Sequence, residues 1–274
     1  MNPSGPIVTL LTDFGGRDGY VAAMKGVIAS LAPNARLLDA AHDMPPHDIQ
    51  AAAWSLMQYW ELYPPGTIHV AVVDPGVGTS RKALCIEADA RLFIVPDNGI
   101  ASFAIEHAHS VSIFAIKPDI HRPGVVSATF HGRDIFAYAA GLLAGGAKKP
   151  AEIAEPFAQI ARPDWARPVA TSTRIEGEVI HVDNFGNLVT NIHHSQMGHA
   201  DWAIASVRVG AQLVTRIYHT YADVPEGTVL ALFGSCNTLE IAVNGQSAQV
   251  HLSCGRGTKV VIEKGILGRM LTPA

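Results

Sequence analysis

Residues 7–11, Ile-Val-Thr-Leu-Leu, form an apolar, β-branched run with no polar alternation, the pattern of a strand buried on both faces. Beyond a turn at Gly15-Gly16, Tyr20, Val21, Met24, Val27, Ile28 and Leu31 recur at helical spacing until Pro33, which predicts a helix. Leu37-Leu38 leads to Asp39, and Ile49, Ala52, Ala53, Leu56 and Trp60 predict a second amphipathic helix closed by Pro64-Pro65. Residues 68–73 form another apolar strand that breaks at Asp74-Pro75-Gly76, and residues 92–95 break in the same way at Pro96-Asp97-Asn98-Gly99. Ile135, Phe136, Ala139, Ala140 and Leu143 outline a third helix between His131-Gly132-Arg133-Asp134 and Gly145-Gly146. Strands alternating with helices predict an α/β layered domain with a largely parallel sheet, whose ligands sit beyond the carboxyl ends of the strands.

From about residue 148 to 168 the pattern changes, with Pro150, Pro156, Pro163 and Pro168 interrupting any long helix. Short alternating segments follow at 178–182, 188–192, 203–209, 213–218, 229–233, 239–243 and 259–262, with no convincing amphipathic helix among them. The organisation expected is an α/β domain over 1–160, a linker over 161–173, and a smaller all-β, barrel-like domain over 174–274.

Composition narrows the partners. With 274 residues, 48% of them hydrophobic, the chain has material for a core in each domain, and a formal charge of -4 supplies no basic field for nucleic acid or an anionic membrane. A small-molecule substrate is the partner expected. Cys85, Cys236 and Cys254 are odd in number and widely spaced, so neither a disulfide framework nor a thiolate zinc site is indicated. The opening MNPSGP lacks a basic stretch, and the apolar run after it is too short for a signal peptide or a membrane span. A cytoplasmic location is expected.

Candidate chemistry collects where strands end. Asp13 and Asp74 each follow an apolar strand, and Asp97-Asn98 follows Ile94-Val95-Pro96, although Asp and Asn also suit turns and helix caps for their own sake. The tripeptide Asp13-Phe14-Gly15 matches the magnesium-holding element of protein kinases, but no kinase catalytic loop or glycine-rich loop accompanies it. His131 stands at the expected start of a helix, where it can cap the segment or exchange a proton near neutral pH, with Asp74 and Arg81 as candidate orienting partners. His42, His47, His193 and His194 lack the HxxxH spacing and the carboxylate set of a zinc site. No metal and no cofactor are expected. In the second domain, Asp183-Asn184-Phe185-Gly186-Asn187, Asn191 and the stretch from Gly234 to Glu240 carry turn residues, whose Asn carboxamides also match the donor and acceptor edge of adenine.

With these segments in view, the chain resembles the adenosine-forming S-adenosylmethionine hydrolase family, the hydrolytic relatives of the fluorinase and chlorinase enzymes. The resemblance rests on Leu11-Thr12-Asp13-Phe14-Gly15, residues 73–79 (Val-Asp-Pro-Gly-Val-Gly-Thr) with Arg81, Pro96-Asp97-Asn98-Gly99, Phe130-His131-Gly132-Arg133-Asp134 and Asp183-Asn184-Phe185-Gly186-Asn187, in family order along nearly the whole chain. It implies a homotrimer with S-adenosylmethionine bound between the α/β domain of one subunit and the β domain of its neighbour. It places a water-activating triad on Asp74, Arg81 and His131 and a ribose-holding carboxylate on Asp13. Asn187 then contacts adenosine, while Ser235, Glu240 and Val243 lie near the methionine portion. The family usually reads Asn-Ser-x-Gly where this chain reads Gly234-Ser235-Cys236-Asn237. Halogenating relatives carry a loop insertion and lack the triad's aspartate and histidine; this chain passes compactly from Cys85 to Pro96 and keeps both residues. The resemblance therefore implies water as the nucleophile and adenosine and methionine as products, with halogenation and substrate sensing without turnover as the alternatives.

Overall fold

Val8 and Leu10 of β1 (Ile7–Thr12) face one buried layer and Leu11 faces another, so the strand is covered on both sides as its unbroken apolar run requires. The computed structural model describes residues 5–124, 126–165, 167–197 and 205–264. The chain divides into two compact units, Met1–Pro163 and Asp164–Ala274.

In the first unit β1 is followed by α1 (Tyr20–Leu31), β2 (Arg36–Ala41), α2 (Ile49–Tyr59), β3 (Ile68–Val72), β4 (Ala83–Ala88), β5 (Arg91–Pro96), α3 (Ser102–His107) and β6 (Val111–Ile116). After a π-helical turn at Gly132–Ala137 come α4 (Tyr138–Ala144), α5 (Pro150–Ile153) and β7 (Ala154–Pro156). The sheet order is β2-β1-β3-β5-β4-β6-β7. The first four strands are parallel, and β4, β6 and β7 complete the sheet with antiparallel pairings. One face packs Met24, Ile28, Phe136 and Ala140 against Val8, Leu10, Val70 and Ile94. The other packs Ala52, Leu56, Trp60, Ile100 and Ala104 against Leu11, Ala71, Phe93 and Val95. This is the helix–sheet–helix layering that alternation of elements predicts.

The expected helices need adjustment at their ends. Asp48 caps α2 by accepting from Ala51 N at 3.0 Å, but Trp60 lies in a separate 3-10 turn, Trp60–Leu62. The third expected helix is not α-helical throughout, because its first six residues form the π-helical turn, a form that recurs at functional sites. The antiparallel strands β4 and β6 were not among the expected elements.

Thr9 and His69 are register partners on β1 and β3, and Thr9 Oγ1 lies 2.8 Å from His69 Nδ1 in the buried sheet. Burial, reinforced by the charge of Arg91, pushes the His69 imidazole down from 6.5 to about 4. On acidification the unfolded chain therefore takes up this proton before the folded one does. Stability falls as pH drops from about 6.5 to about 4, by about 3 kcal/mol from this group alone. Denaturant unfolding at several pH values should give His69→Phe a shallower pH dependence over that window than the native chain. Identical slopes would remove His69 as the cause.

In the second unit the strands are β8 (Val169–Ala170), β9 (Arg174–Val182), β10 (Leu188–His193), β11 (Ser206–Val209), β12 (Gln212–Val214), β13 (Ile217–Tyr218), β14 (Val229–Phe233), β15 (Thr238–Val243) and β16 (Lys259–Glu263). Their order, β12-β11-β16-β9-β10-β15-β14-β13 with β8 beside β9, makes a nearly closed, barrel-like sheet around Ile175, Val179, Leu188, Ile192, Ile241 and Ile262. Of the strand expected over 203–209, residues 203 and 204 lie outside the described residues. The expected segment 213–218 divides into β12 and β13. A short helix, α6 (Ala248–Leu252), occurs where none was expected, capped by Ser247 Oγ accepting from Val250 N at 3.2 Å.

Candidate active site

Because β1, β3 and β5 are adjacent and parallel, with Thr12 opposite Val72 and Val70 opposite Ile94, their carboxyl ends share one edge of the sheet. Asp13, Asp74 and Asp97 leave that edge together, which is where an open α/β sheet carries its ligands. Strong pairing inside the sheet thus fixes three polar loops that are far apart in sequence.

Arg81, just before β4, is the hub of this edge. Its Nε lies 3.0 Å from each Asp74 oxygen, and its Nη2 donates both to Asp74 Oδ2 and, at 3.0 Å, to His131 Nδ1. The guanidinium carbon sits 5.0 Å from the centroid of the Phe136 ring. The Asp74 and Arg81 side chains are only 5% and 11% exposed, so the pair is screened far less than a surface ion pair.

His131 immediately precedes the π-helical turn. That turn is anchored by the fully buried Asp134, which accepts from Arg133 Nε at 2.7 Å, Arg133 Nη2 at 2.8 Å, Ser127 N at 2.9 Å and Arg122 Nε at 3.0 Å. The Arg133 hydrogen bonds, followed by those of Ser127 and Arg122, hold the Asp134 carboxyl well below the usual carboxylate range. Burial and then the Arg81 charge lower the His131 pKa below its ordinary 6.5, with Asp74 and Asp134 acting in the opposite sense. A neutral imidazole whose Nδ1 accepts from Arg81 carries its proton on Nε2. The cluster therefore presents a buried guanidinium, a carboxylate and a neutral histidine donor.

Asp13 belongs to a neighbouring network. Its Oδ2 accepts from His47 N at 2.9 Å, and the loop after it is tied down by Gly15 N donating to His42 O at 2.8 Å. Thr12 Oγ1 lies 2.9 Å from His42 Nδ1, and His42 Nε2 lies 2.8 Å from Asp39 Oδ1. His47 adopts a left-handed backbone conformation with φ of 65°. Hydrogen bonds thus join Asp74, Arg81 and His131 to one another and hold Asp13 separately at the same sheet edge.

The second unit assembles its own cluster. Asn187, 7% exposed, donates through Nδ2 to Asp183 Oδ2 at 2.8 Å, while Asp183 Oδ1 accepts from Asn187 N and Phe185 N. Half of the Asn187 carboxamide is therefore committed to the loop. Tyr221 donates its hydroxyl to Glu240 Oε2 at 2.9 Å. Burial, reinforced by Asp183, raises the Glu240 pKa, and burial together with Glu240 pushes Tyr221 to about 12. Ser235 is exposed in the turn between β14 and β15, whereas the Val243 side chain is 3% exposed and packs in the core. The Gly234–Asn237 exchange has a geometric consequence: a Cβ at Gly234 would stand 1.7 Å from Glu240 Oε1. Glycine here makes room for the carboxylate. Asn237 then takes the left-handed position, with φ of 56°, that asparagine tolerates better than most residues.

Asp134, Asp183 and Tyr221 complete these networks without having been assigned a role from sequence. The first two stand inside quoted motifs, so their position was the available signal; Tyr221 carries no local signal. Among the described residues no group of three or more His, Cys, Asp or Glu side chains is disposed to hold a metal ion. No helix among them is long and apolar enough to cross a membrane.

A parallel-sheet edge bearing a buried Asp–Arg–His cluster, on a chain that continues into a barrel-like β unit, defines a two-part α/β enzyme. The models of the SAM hydroxide adenosyltransferase N-terminal and C-terminal domains match residues 8–154 and 177–261. The chain belongs to the SAM hydroxide adenosyltransferase family. It is 38% identical over 262 residues to the (R)-S-adenosyl-L-methionine hydrolase of Thermus thermophilus, covering 92% of this chain and 98% of that one. A fluorinase from Nocardia brasiliensis is more distant, at 24% identity over 96% of this chain and 99% of its own. The crystal structure of an uncharacterized conserved protein from Thermotoga maritima matches with a TM-score of 0.85 and 32% identity, covering 93% of this chain and 99% of that one.

Proposed function

We propose that this protein hydrolyses S-adenosyl-L-methionine to adenosine and L-methionine. The observation that carries the reading is the Arg81 guanidinium, which bridges Asp74 and His131 at the carboxyl edge of the sheet. Family membership and the name of the Thermus thermophilus relative support the same substrate. Water attacks ribose C5′, the C5′–O bond forms, and the C5′–S bond breaks with its electron pair returning to sulfur. The sulfonium thereby leaves as neutral methionine, so no acid is needed at the leaving group. The proton lost by water passes to Asp74 or onward to solvent.

In this proposal Arg81 stabilises the developing hydroxide, and the Nε2–H of neutral His131 aligns it. Both oxygens of Asp74 face Arg81, so the centre relies on alignment and fixed charge more than on a strong base. Asp13 holds the ribose hydroxyls and Asn187 the adenine. Glu240 receives the α-ammonium, whose charge offsets the burial that raises its pKa, and Ser235 receives the carboxylate. Val243 contributes core packing beneath that end. The reading also includes a cytoplasmic homotrimer in which each substrate meets residues of two copies, and it uses neither metal nor cofactor.

Purified protein incubated with each resolved sulfonium epimer, followed by chromatography, tests the assignment. Adenosine and methionine should appear, faster from the (R)-epimer and at the same rate with a chelator present. Chloride-dependent chloroadenosine would replace hydrolysis with halogenation. Unchanged substrate with measurable affinity would make the protein a sensor, and loss of turnover on chelation would overturn the metal-free mechanism.

A further inference from the structure

Asp74 and Arg81 lie on chain segments that do not pair with each other. Asp74 follows β3 and Arg81 precedes β4, and β5 runs between those two strands. The loop joining them, residues 75–80, is Pro-Gly-Val-Gly-Thr-Ser, and its two glycines leave its backbone freer than most. Its internal bonds, Val77 N to Asp74 O and Thr79 N to Gly76 O at 3.1 Å, Thr79 Oγ1 to Gly76 O at 2.7 Å and Arg81 N to Thr79 Oγ1 at 3.4 Å, close a succession of short turns, none of which joins Asp74 directly to Arg81. The spacing of a carboxylate and a guanidinium that meet within hydrogen-bond distance therefore also depends on what holds the outer ends of the two segments.

The residues at the end of β5 touch both segments. Asn98 Nδ2 donates to the carbonyl of Val73, the residue before Asp74, at 2.8 Å. Asp97 N donates to the carbonyl of Lys82, the residue after Arg81, at 2.9 Å. The other end of the Asn98 carboxamide accepts from Ile100 N at 3.2 Å, which fixes the side chain, and Asp97 Oδ1 accepts from Ala161 N at 2.7 Å. Gly99 completes the turn with φ of 93°, where a Cβ would fall 2.0 Å from Pro163 Cγ. Two consecutive residues therefore grip the chain on the outer side of each half of the Asp74–Arg81 pair.

We propose that Asn98 is a positioning residue for hydrolysis: its carboxamide donor holds the end of β3 so that Asp74 meets Arg81 in the productive arrangement. The inference rests on the triad reading above. It assigns no contact with substrate to Asn98. A displacement of about 1 Å in a reacting constellation can cost on the order of 100-fold in rate, so a single backbone anchor next to Asp74 is a sensitive place to lose.

The side chain allows a clean test, because its two ends act separately. Asn98→Asp keeps an oxygen to accept from Ile100 N and loses the donor to Val73. Asn98→Ser provides a second variant, whose hydroxyl can keep the cap but stops short of the Val73 oxygen. Melting temperature, kcat and KM for S-adenosylmethionine should be compared with native protein and with His131→Ala. We expect kcat to fall roughly 10- to 100-fold in both variants while KM changes by less than about threefold. In Asn98→Asp the kcat ratio to native should recover as pH falls, since the protonated introduced carboxyl regains a donor for Val73; Asn98→Ser should show no such recovery. A lowered melting temperature with native kcat and pH profile overturns the proposal in favour of a purely structural role. A raised KM with native kcat overturns it in favour of substrate binding. Native kcat in the Asn98 variants beside a disabled His131→Ala refutes this inference alone, whereas full activity in His131→Ala refutes the triad reading itself.

Discussion

Replacing Arg81 with Ala is expected to abolish measurable turnover and to destabilise the first unit together. The guanidinium contributes every hydrogen bond that links Asp74 to His131, so its loss leaves the Asp74 carboxylate unpaired at 5% exposure. Breaking a buried pair by removing one partner costs about 3–5 kcal/mol, mostly the desolvation of the charge left behind. The rate should fall by roughly 10³-fold or more, the scale seen when a fixed donor to developing charge is removed. Asp74→Ala combined with Arg81→Ala should recover part of the stability, because the stranded charge is gone, and none of the activity. Arg81→Lys should keep charge and fold but lose most of the rate, since one ammonium lacks the planar fork that serves Asp74 and His131 at once. Denaturant unfolding and steady-state turnover of the four proteins decide the matter; a stable, active Arg81→Ala protein would show that the cluster is structural decoration.

The same cluster indicates what a single sequence can reveal. The strands β1, β3 and β5 are legible because burial on both faces demands unbroken apolar runs. The polar residues where those runs stop, Asp13, Asp74 and Asp97, are legible for the same reason. β4 and β6 are harder: β4 carries Glu87 in an otherwise buried run, and β6 grades from exposed to buried along its length, so neither gives a regular period. A five-residue helix such as α6 is too short for a 3.6-residue period to declare itself, and a π-helical turn departs from that period altogether.

Among the site residues, strand-end placement singled out Asp74 and helix-start placement singled out His131, whereas the hub, Arg81, is only a candidate orienting partner by residue type and joins the other two as a triad through resemblance. Its partners lie 7 and 50 residues away, and no local pattern records such contacts. The supporting shell was less visible still. Asn98 reaches back 25 residues to Val73, and Tyr221 reaches forward 19 to Glu240. Each looks like an ordinary turn or strand residue until the fold closes. Gly234 illustrates the opposite case: its departure from the family pattern is plain in the sequence, but its meaning depends on the Glu240 carboxylate that occupies the vacated space.

His131→Ala should lower kcat by roughly 10²- to 10³-fold, the range associated with removing a fixed donor to developing charge, and should change KM much less. The variant keeps the Asp74–Arg81 pair, so its stability should stay close to native. The pH profile adds a separate signature. Burial and the neighbouring Arg81 charge lower the His131 pKa below 6.5, so the imidazole is neutral throughout the neutral range. As pH falls through that lowered pKa, Nδ1 gains a hydrogen directed at Arg81 Nη2, only 3.0 Å away. An accepting contact then becomes a meeting of two cations, and the alignment of water fails with it. Native kcat should therefore be flat near neutrality and fall on an acid limb lying below 6.5, with the neutral form active. In His131→Ala that limb should disappear from the residual rate. If the limb persists in the variant, another group governs the titration; if kcat itself is unchanged, His131 has no part in activating water.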